Sequence, residues 1–164
     1  MSLFSAESIT QKIFQNELKI TLKCSEKYER NYYAWSHRAW IFQNLISQGN
    51  EDDLYSKVID DLEITENYLE HNISDYSCCH YRHVLLRKVN KFSSKYETNF
   101  WDVLMKEFKF IEDMIQRYPQ KESFILHRRA IFSFIIQFRP NDTKLSENVE
   151  KFINFNTNLN NYSL

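Results

Sequence analysis

The feature that most constrains this chain is a ten-residue stretch, Asn31-Tyr32-Tyr33-Ala34-Trp35-Ser36-His37-Arg38-Ala39-Trp40, which returns twice in weakened form. With Asn31 at the start of a helix, Trp35, Arg38 and Phe42 follow at intervals of four, three and four and share one face. Asp75, Cys79, Arg82 and Leu86 keep those intervals, and Glu122, Leu126 and Arg129 keep them more loosely. The arginines are 82 − 38 = 44 and 129 − 82 = 47 residues apart. That period holds two helices and two turns, as in arrays of stacked helical hairpins.

Composition supports the helical reading. One Gly and two Pro leave few residues for tight β-turns, while apolar positions recur at helical spacing throughout. The expected fold is all-α, a right-handed α-α superhelix of the TPR-like solenoid type with about three helical hairpins. A length of 164 residues suits one domain. We place it at residues 1–155, with repeats near 8–47, 52–91 and 97–138, followed by an Asn-rich tail at 156–164 that frays. Large rings, 16% of the chain, fill gaps between helices or line a partner groove. Interspersed charges summing to −1 exclude a general nucleic-acid binder. No apolar run reaches membrane-spanning length and no signal peptide opens the chain, so a cytoplasmic protein is expected. Cys24, Cys78 and Cys79 cannot make a disulfide framework and read as reduced thiols.

Along the chain, the first helix is predicted from near Ser8 to near Tyr28, burying Ile13, Phe14, Leu18 and Leu22. An apolar face on a first helix calls for a cap or for further repeats ahead of it. Asn31 caps the next helix, which runs to about Ser47 and closes at Gln48-Gly49-Asn50. Leu54, Val58, Leu62, Thr65 and Leu69 mark a third helix after the acids 51–53, and Ser74 or Asp75 caps a fourth ending near Lys91. Phe92-Ser93-Ser94-Lys95 reads as a connector. Trp101, Leu104, Phe108, Ile111, Ile115 and Tyr118 form a fifth stripe, ended by Pro119. The segment from Phe124 to Phe138 is apolar on nearly every side, and Leu145 to Phe155 forms a weaker capping helix.

A guanidinium one turn from Trp35 can bond carboxylates or helix carbonyls of a neighbouring repeat, so the repeated arginines read as ties between hairpins. His80 and His83 beside Cys78 and Cys79 offer metal-ligand atoms, but neighbouring cysteines diverge on a helix and no second pair follows at a zinc-site spacing. His37 and His127 sit beside the repeated arginines and suit hydrogen bonding between helices. No Gly-rich phosphate loop or nucleophile elbow exists, so catalysis by this chain alone is not expected. Arg30 and Lys121, each ahead of a motif helix, put cations at the edge where helix N-termini gather, a candidate diphosphate contact.

Asn31-Tyr32-x-x-Trp35-x-His37-Arg38 resembles the Asn-Tyr-x-x-Trp-x-x-Arg repeat of protein prenyltransferase alpha subunits. The stretches Asp75–Arg82 and Glu122–Arg129 look most like later repeats of a divergent repeat-containing branch of that family, and the resemblance spans about Tyr28 to Phe138. It implies a crescent of hairpins, locked by Asn31, Tyr32, Trp35, Arg38, Asp75, Arg82 and Arg129, around a catalytic beta subunit that carries the zinc. No cofactor is implied for this chain itself. The implied reaction is farnesyl or geranylgeranyl transfer from a prenyl diphosphate to a cysteine near a protein's C-terminus; the divergent branch implies geranylgeranyl transfer with a Rab-type beta subunit. The family's diphosphate-contacting lysine precedes the motif Asn; here Arg30 stands there, with Ser74 and Lys121 at the corresponding places in the other repeats. The alternative is a non-enzymatic helical-repeat adaptor that binds another protein.

Overall fold

The computed structural model describes residues 6–45, 51–91 and 93–138. Among these residues the fold is all-helical: α1 (Ala6–Lys27), α2 (Tyr32–Leu45), α3 (Glu51–His71), α4 (Tyr76–Lys91), α5 (Ser93–Arg117) and α6 (Glu122–Gln137). The helices pair in chain order, α1 with α2, α3 with α4 and α5 with α6, and the second helices stack in turn, α2 on α4 and α4 on α6. This is a helical-repeat arrangement in which each hairpin packs on its neighbours.

Local chemistry sets the boundaries. Asn31 Oδ1 accepts the amide of Ala34 at 3.2 Å and Asp75 Oδ1 accepts that of Cys78 at 3.0 Å, so each satisfies a first-turn donor. Of the two residues considered for the second cap, Asp75 fills the role. Lys121 stands in the same place before α6 and makes no side-chain cap bond. The predicted Gln48-Gly49-Asn50 closure and Leu145–Phe155 helix, and the 156–164 tail, lie outside the described residues.

Leu54, Val58, Leu62, Thr65 and Leu69 are all buried, as are Trp101, Leu104, Phe108 and Ile111. All but Thr65 belong, together with Trp35, Phe42, Leu85, Leu86 and Phe124, to one continuous apolar core. Two expectations need correction. Ile13 is exposed, whereas Leu18 and Leu22 pack partly against the core. The connector expected at Phe92–Lys95 is shorter, because α5 already begins at Ser93. In α6, burial falls on Phe124, Ile131, Phe134 and Ile135, while Leu126 and Ile136 face outward.

Candidate functional site: the arginine junctions between hairpins

The guanidinium of Arg38 is buried between the first two hairpins. Nε donates to Asp61 Oδ2 at 3.0 Å, Nη2 pairs with Asp61 Oδ1, and Nη1 donates to Leu18 O and, at 3.0 Å, to Thr21 Oγ1. Arg82 repeats the arrangement one hairpin on: Nε donates to Glu107 Oε1 at 2.8 Å, Nη2 pairs with Glu107 Oε2, and Nη1 donates to Leu62 O and Thr65 Oγ1. Each arginine thus bonds back to a carbonyl and a threonine in the first helix of its own hairpin. It bonds forward to an acid in the first helix of the next. Two parallel bonds to one carboxylate are what a planar fork makes and an ammonium cannot.

A second contact set accompanies each fork. The indole Nε1–H of Trp35 donates to Asp75 Oδ2 at 3.0 Å, and the Tyr68 hydroxyl donates to the same oxygen at 2.8 Å. Trp35 lies edge-on to Tyr68, with centroids 4.9 Å apart, and stacks on Tyr81 at 5.5 Å. The cap of α4 is therefore also the acceptor that anchors α2. The Tyr81 hydroxyl joins Arg38 on Asp61, and His127 Nε2 joins Arg82 on Glu107.

Burial alone would raise the Glu107 carboxyl, but the charge of Arg82 and hydrogen bonds from His127 and Arg82 outweigh it and hold that carboxyl well below the usual carboxylate range. Burial pushes His127 down despite Glu107, and pushes His83 down to about 3, helped by the neighbouring His127 and His80. With both rings neutral and His127 Nε2–H donating to Glu107, His127 Nδ1 must accept from His83 Nε2–H. The two rings stack at 4.5 Å. Among the described residues no buried side-chain polar atom lacks a partner, which two buried ion pairs require.

The register of the third repeat differs from the one expected. The helix caps Asn31, Asp75 and Lys121 are 44 and 46 residues apart, so Arg128, not Arg129, corresponds to Arg38 and Arg82. Arg128 is half-buried and bonds Glu112 at 3.4 Å, whereas Arg129 is exposed. One residue on a helix is a rotation of about 100°. The same shift puts Lys121 at the cap position itself, with Gln120 ahead of it, and Lys121 Nζ donates to Ser74 Oγ at 3.1 Å.

Tyr32 is exposed and meets Tyr33 edge-on at 5.8 Å, outside the core. Arg30 is exposed beside a shallow cleft of about 150 Å³ lined by Glu29, Tyr68, His71, Ser74 and Asp75. Its φ of 57° lies in the left-handed region, which costs a residue with a Cβ roughly 1 kcal/mol. His80 and His83 meet edge-on at 6.1 Å, while burial drives the Cys78 thiol up and the Cys79 thiol to about 12. The described residues hold no group of three or more side chains disposed to bind a metal.

Thr21, Asp61 and Glu107 were not singled out from the sequence, and Thr65 only as part of a helix stripe, although a signal was there. Glu17-Leu18-Lys19-Ile20-Thr21, Asp61-Leu62-Glu63-Ile64-Thr65 and Glu107-Phe108-Lys109-Phe110-Ile111 repeat at 61 − 17 = 44 and 107 − 61 = 46 residues, the interval of the caps.

Residues 14–45 and 58–89 match the protein prenyltransferase alpha subunit repeat, each match covering most of one hairpin. The chain is 28% identical over 154 residues to protein prenyltransferase alpha subunit repeat-containing protein 1 of Danio rerio, which covers 79% of this chain and 35% of that protein. It is 28% identical over 153 residues to the Homo sapiens protein of the same description, covering 74% of this chain and 37% of the relative. The chain thus spans about a third of the length of these relatives. Two stacked hairpins of this chain thus match the protein prenyltransferase alpha subunit repeat, and the arginines that tie them, Arg38 and Arg82, lie within the matched residues.

Proposed function

We propose that the chain serves as an alpha-type subunit of a heterodimeric protein prenyltransferase. Its hairpins scaffold a zinc-bearing beta subunit and line one wall of the cleft in which a farnesyl or geranylgeranyl group passes to a cysteine near a protein's C-terminus. The repeat match at residues 14–45 and 58–89 carries the reading. The resemblance to the divergent branch implies a geranylgeranyl donor and a Rab-type partner, with a cytoplasmic site of action. The zinc belongs to the partner, and this chain's share is positional, because buried forks at successive junctions hold the hairpins in a fixed relation that a large partner surface can meet without ordering it first. Arg30, exposed at the N-terminal edge of α2, is the residue that contacts the diphosphate.

The test is co-expression with beta subunits, purification through a tag on one chain, and an assay of isoprenoid transfer to a cysteine-ending peptide. A stable pair with transfer is the expected result, and Arg30→Ala should slow transfer several-fold while leaving the melting curve in place. Unchanged kinetics in that variant would remove the diphosphate role. A second reading, a helical-repeat adaptor without enzymatic activity, is favoured by one observation. Lys121 and Ser74 bond each other, so of the residues expected to meet a diphosphate only Arg30 stays exposed. No pair and no transfer would favour that reading instead.

A further inference from the structure

The two junctions share one fork but are not closed alike. Between α3 and α5 the cleft beside Arg82 measures about 30 Å³. Lys106 Nζ reaches Glu63 at 3.3 Å and Glu66 at 4.0 Å on the facing helix, and Phe110 lies over the Arg82 guanidinium at 5.2 Å. Between α1 and α3 the corresponding groove, with Arg38 and Phe42 from α2 in its lining, holds about 390 Å³. Stepping back by the repeat intervals of 46 and 44 residues shows why: Lys106 becomes Asp60, Glu63 becomes Lys19, Glu66 becomes Leu22 and Phe110 becomes Ile64. Among the described residues Lys19 and Asp60 share no bond, and Ile64 is 38% exposed where Phe110 is buried.

Apolar side chains make the walls. Phe14, Leu18 and Leu22 follow one another at intervals of four along α1 and form a stripe that runs about 12 Å along the axis. Each is half-buried, and Ile64 lines the same groove from α3. A volume of this size with a mostly apolar lining and a few polar groups is that of a small-molecule pocket. An α-helix, about 10 Å across with its side chains, is too wide to enter the space, whereas a slender aliphatic chain fits it. The polar groups decide the other end of the occupant. Arg38 and Asp61 cancel each other, and Lys19 and Lys57 against Asp60 leave one positive charge in excess. That excess suits a monoanion, while Asp60 opposes a dianion.

We propose that the groove between α1 and α3 binds a medium-chain fatty acid, with its alkyl chain against Phe14, Leu18, Leu22 and Ile64 and its carboxylate toward Lys19. The bound chain does at the first junction what Phe110 and Lys106 do at the second: it fills the space between successive first helices. The inference does not rest on the prenyltransferase reading, because neither Arg30 nor a beta subunit enters it.

Titration calorimetry of the full chain with sodium decanoate is expected to show one saturable site, with octanoate weaker by about tenfold because it buries two methylenes fewer. Ile64→Glu puts a like charge on the groove wall at an exposed position; it should weaken decanoate by about tenfold or more and leave the melting curve of the unliganded protein in place. Ile20→Glu, on an exposed face of α1 outside the groove, should change neither. Lys19→Gln should weaken decanoate several-fold and leave the binding of decanol, which has no charge, as it was. No saturable site, more than one site, or an equal effect of Ile64→Glu and Ile20→Glu would overturn the proposal. So would tighter binding of decyl phosphate, mostly a dianion at neutral pH, than of decanoate.

Discussion

Arg38 and Arg82 are charged groups placed where solvent cannot reach, and they are tolerable there because every donor that points inward meets an acceptor. Removing either side chain leaves a buried carboxylate without its counter-charge, with only the Tyr81 hydroxyl still donating to Asp61 or His127 to Glu107. We therefore expect Arg38→Ala and Arg82→Ala each to cost on the order of 3 kcal/mol, read from urea denaturation. Arg129→Ala, at an exposed position, should leave the transition unmoved; a loss equal to that of Arg82→Ala would restore Arg129 to the junction set. The histidine pair makes a prediction about pH. His83 is held down to about 3 in the fold against about 6.5 for an unfolded histidine, so between those values the unfolded chain binds the extra proton. Stability is then full above pH 6.5 and falls as the solution is acidified toward 3, by on the order of 1 kcal/mol per pH unit for this group. Burial lowers His127 as well and adds in the same direction. Urea midpoints at pH 7.5, 6 and 5 check it, and His83→Gln should flatten the slope.

At the scale of the helix, three second helices begin in three ways. Asn31 and Asp75 cap α2 and α4, and Lys121 offers α6 nothing. Asn31→Ala should cost about 1 kcal/mol. Asp75→Ala should cost more, about 3 kcal/mol, because the same carboxylate also holds the Trp35 indole, which would be left buried without a partner, and the Tyr68 hydroxyl, which would keep only the Ser25 carbonyl at 3.2 Å. Lys121→Ser should gain about 0.5 kcal/mol by supplying the missing acceptor. Thermal melts of the three variants rank these effects. An Asp75→Ala loss no larger than that of Asn31→Ala would mean that the indole bond contributes nothing.

Across the molecule, the main contacts among the described residues lie within a hairpin or join it to the next, so stability is divided between units and junctions. The first junction rests on Arg38 with Asp61 and on Trp35 with Asp75. The second adds the histidine pair and the Ser123 bond to Arg82 with Glu107. Cutting one should loosen one end. In Arg38→Ala, amide hydrogen exchange in α1 and α2 should speed up by about a hundredfold, with a smaller change in α5 and α6. Equal acceleration in all six helices would show that the array unfolds as one unit.

The helices and their pairing were legible from the chain, because apolar spacing and the scarcity of glycine and proline are local properties and a hairpin repeats its own pattern. So was the wedge of Trp35 and Arg38, since its residues are neighbours on one helix. Matching arginine to arginine, however, admits a slip of one residue, and only the third helix cap and its packing put Arg128 rather than Arg129 in register. Asp61 and Glu107 look like solvated charges in the sequence. They are core residues because a cation 23 to 25 positions earlier, in another hairpin, is brought against them. Sequence periodicity fixes which side of a helix is apolar, whereas the stacking of hairpins decides which charges that side can bury, and an ion pair exists only once both elements have met.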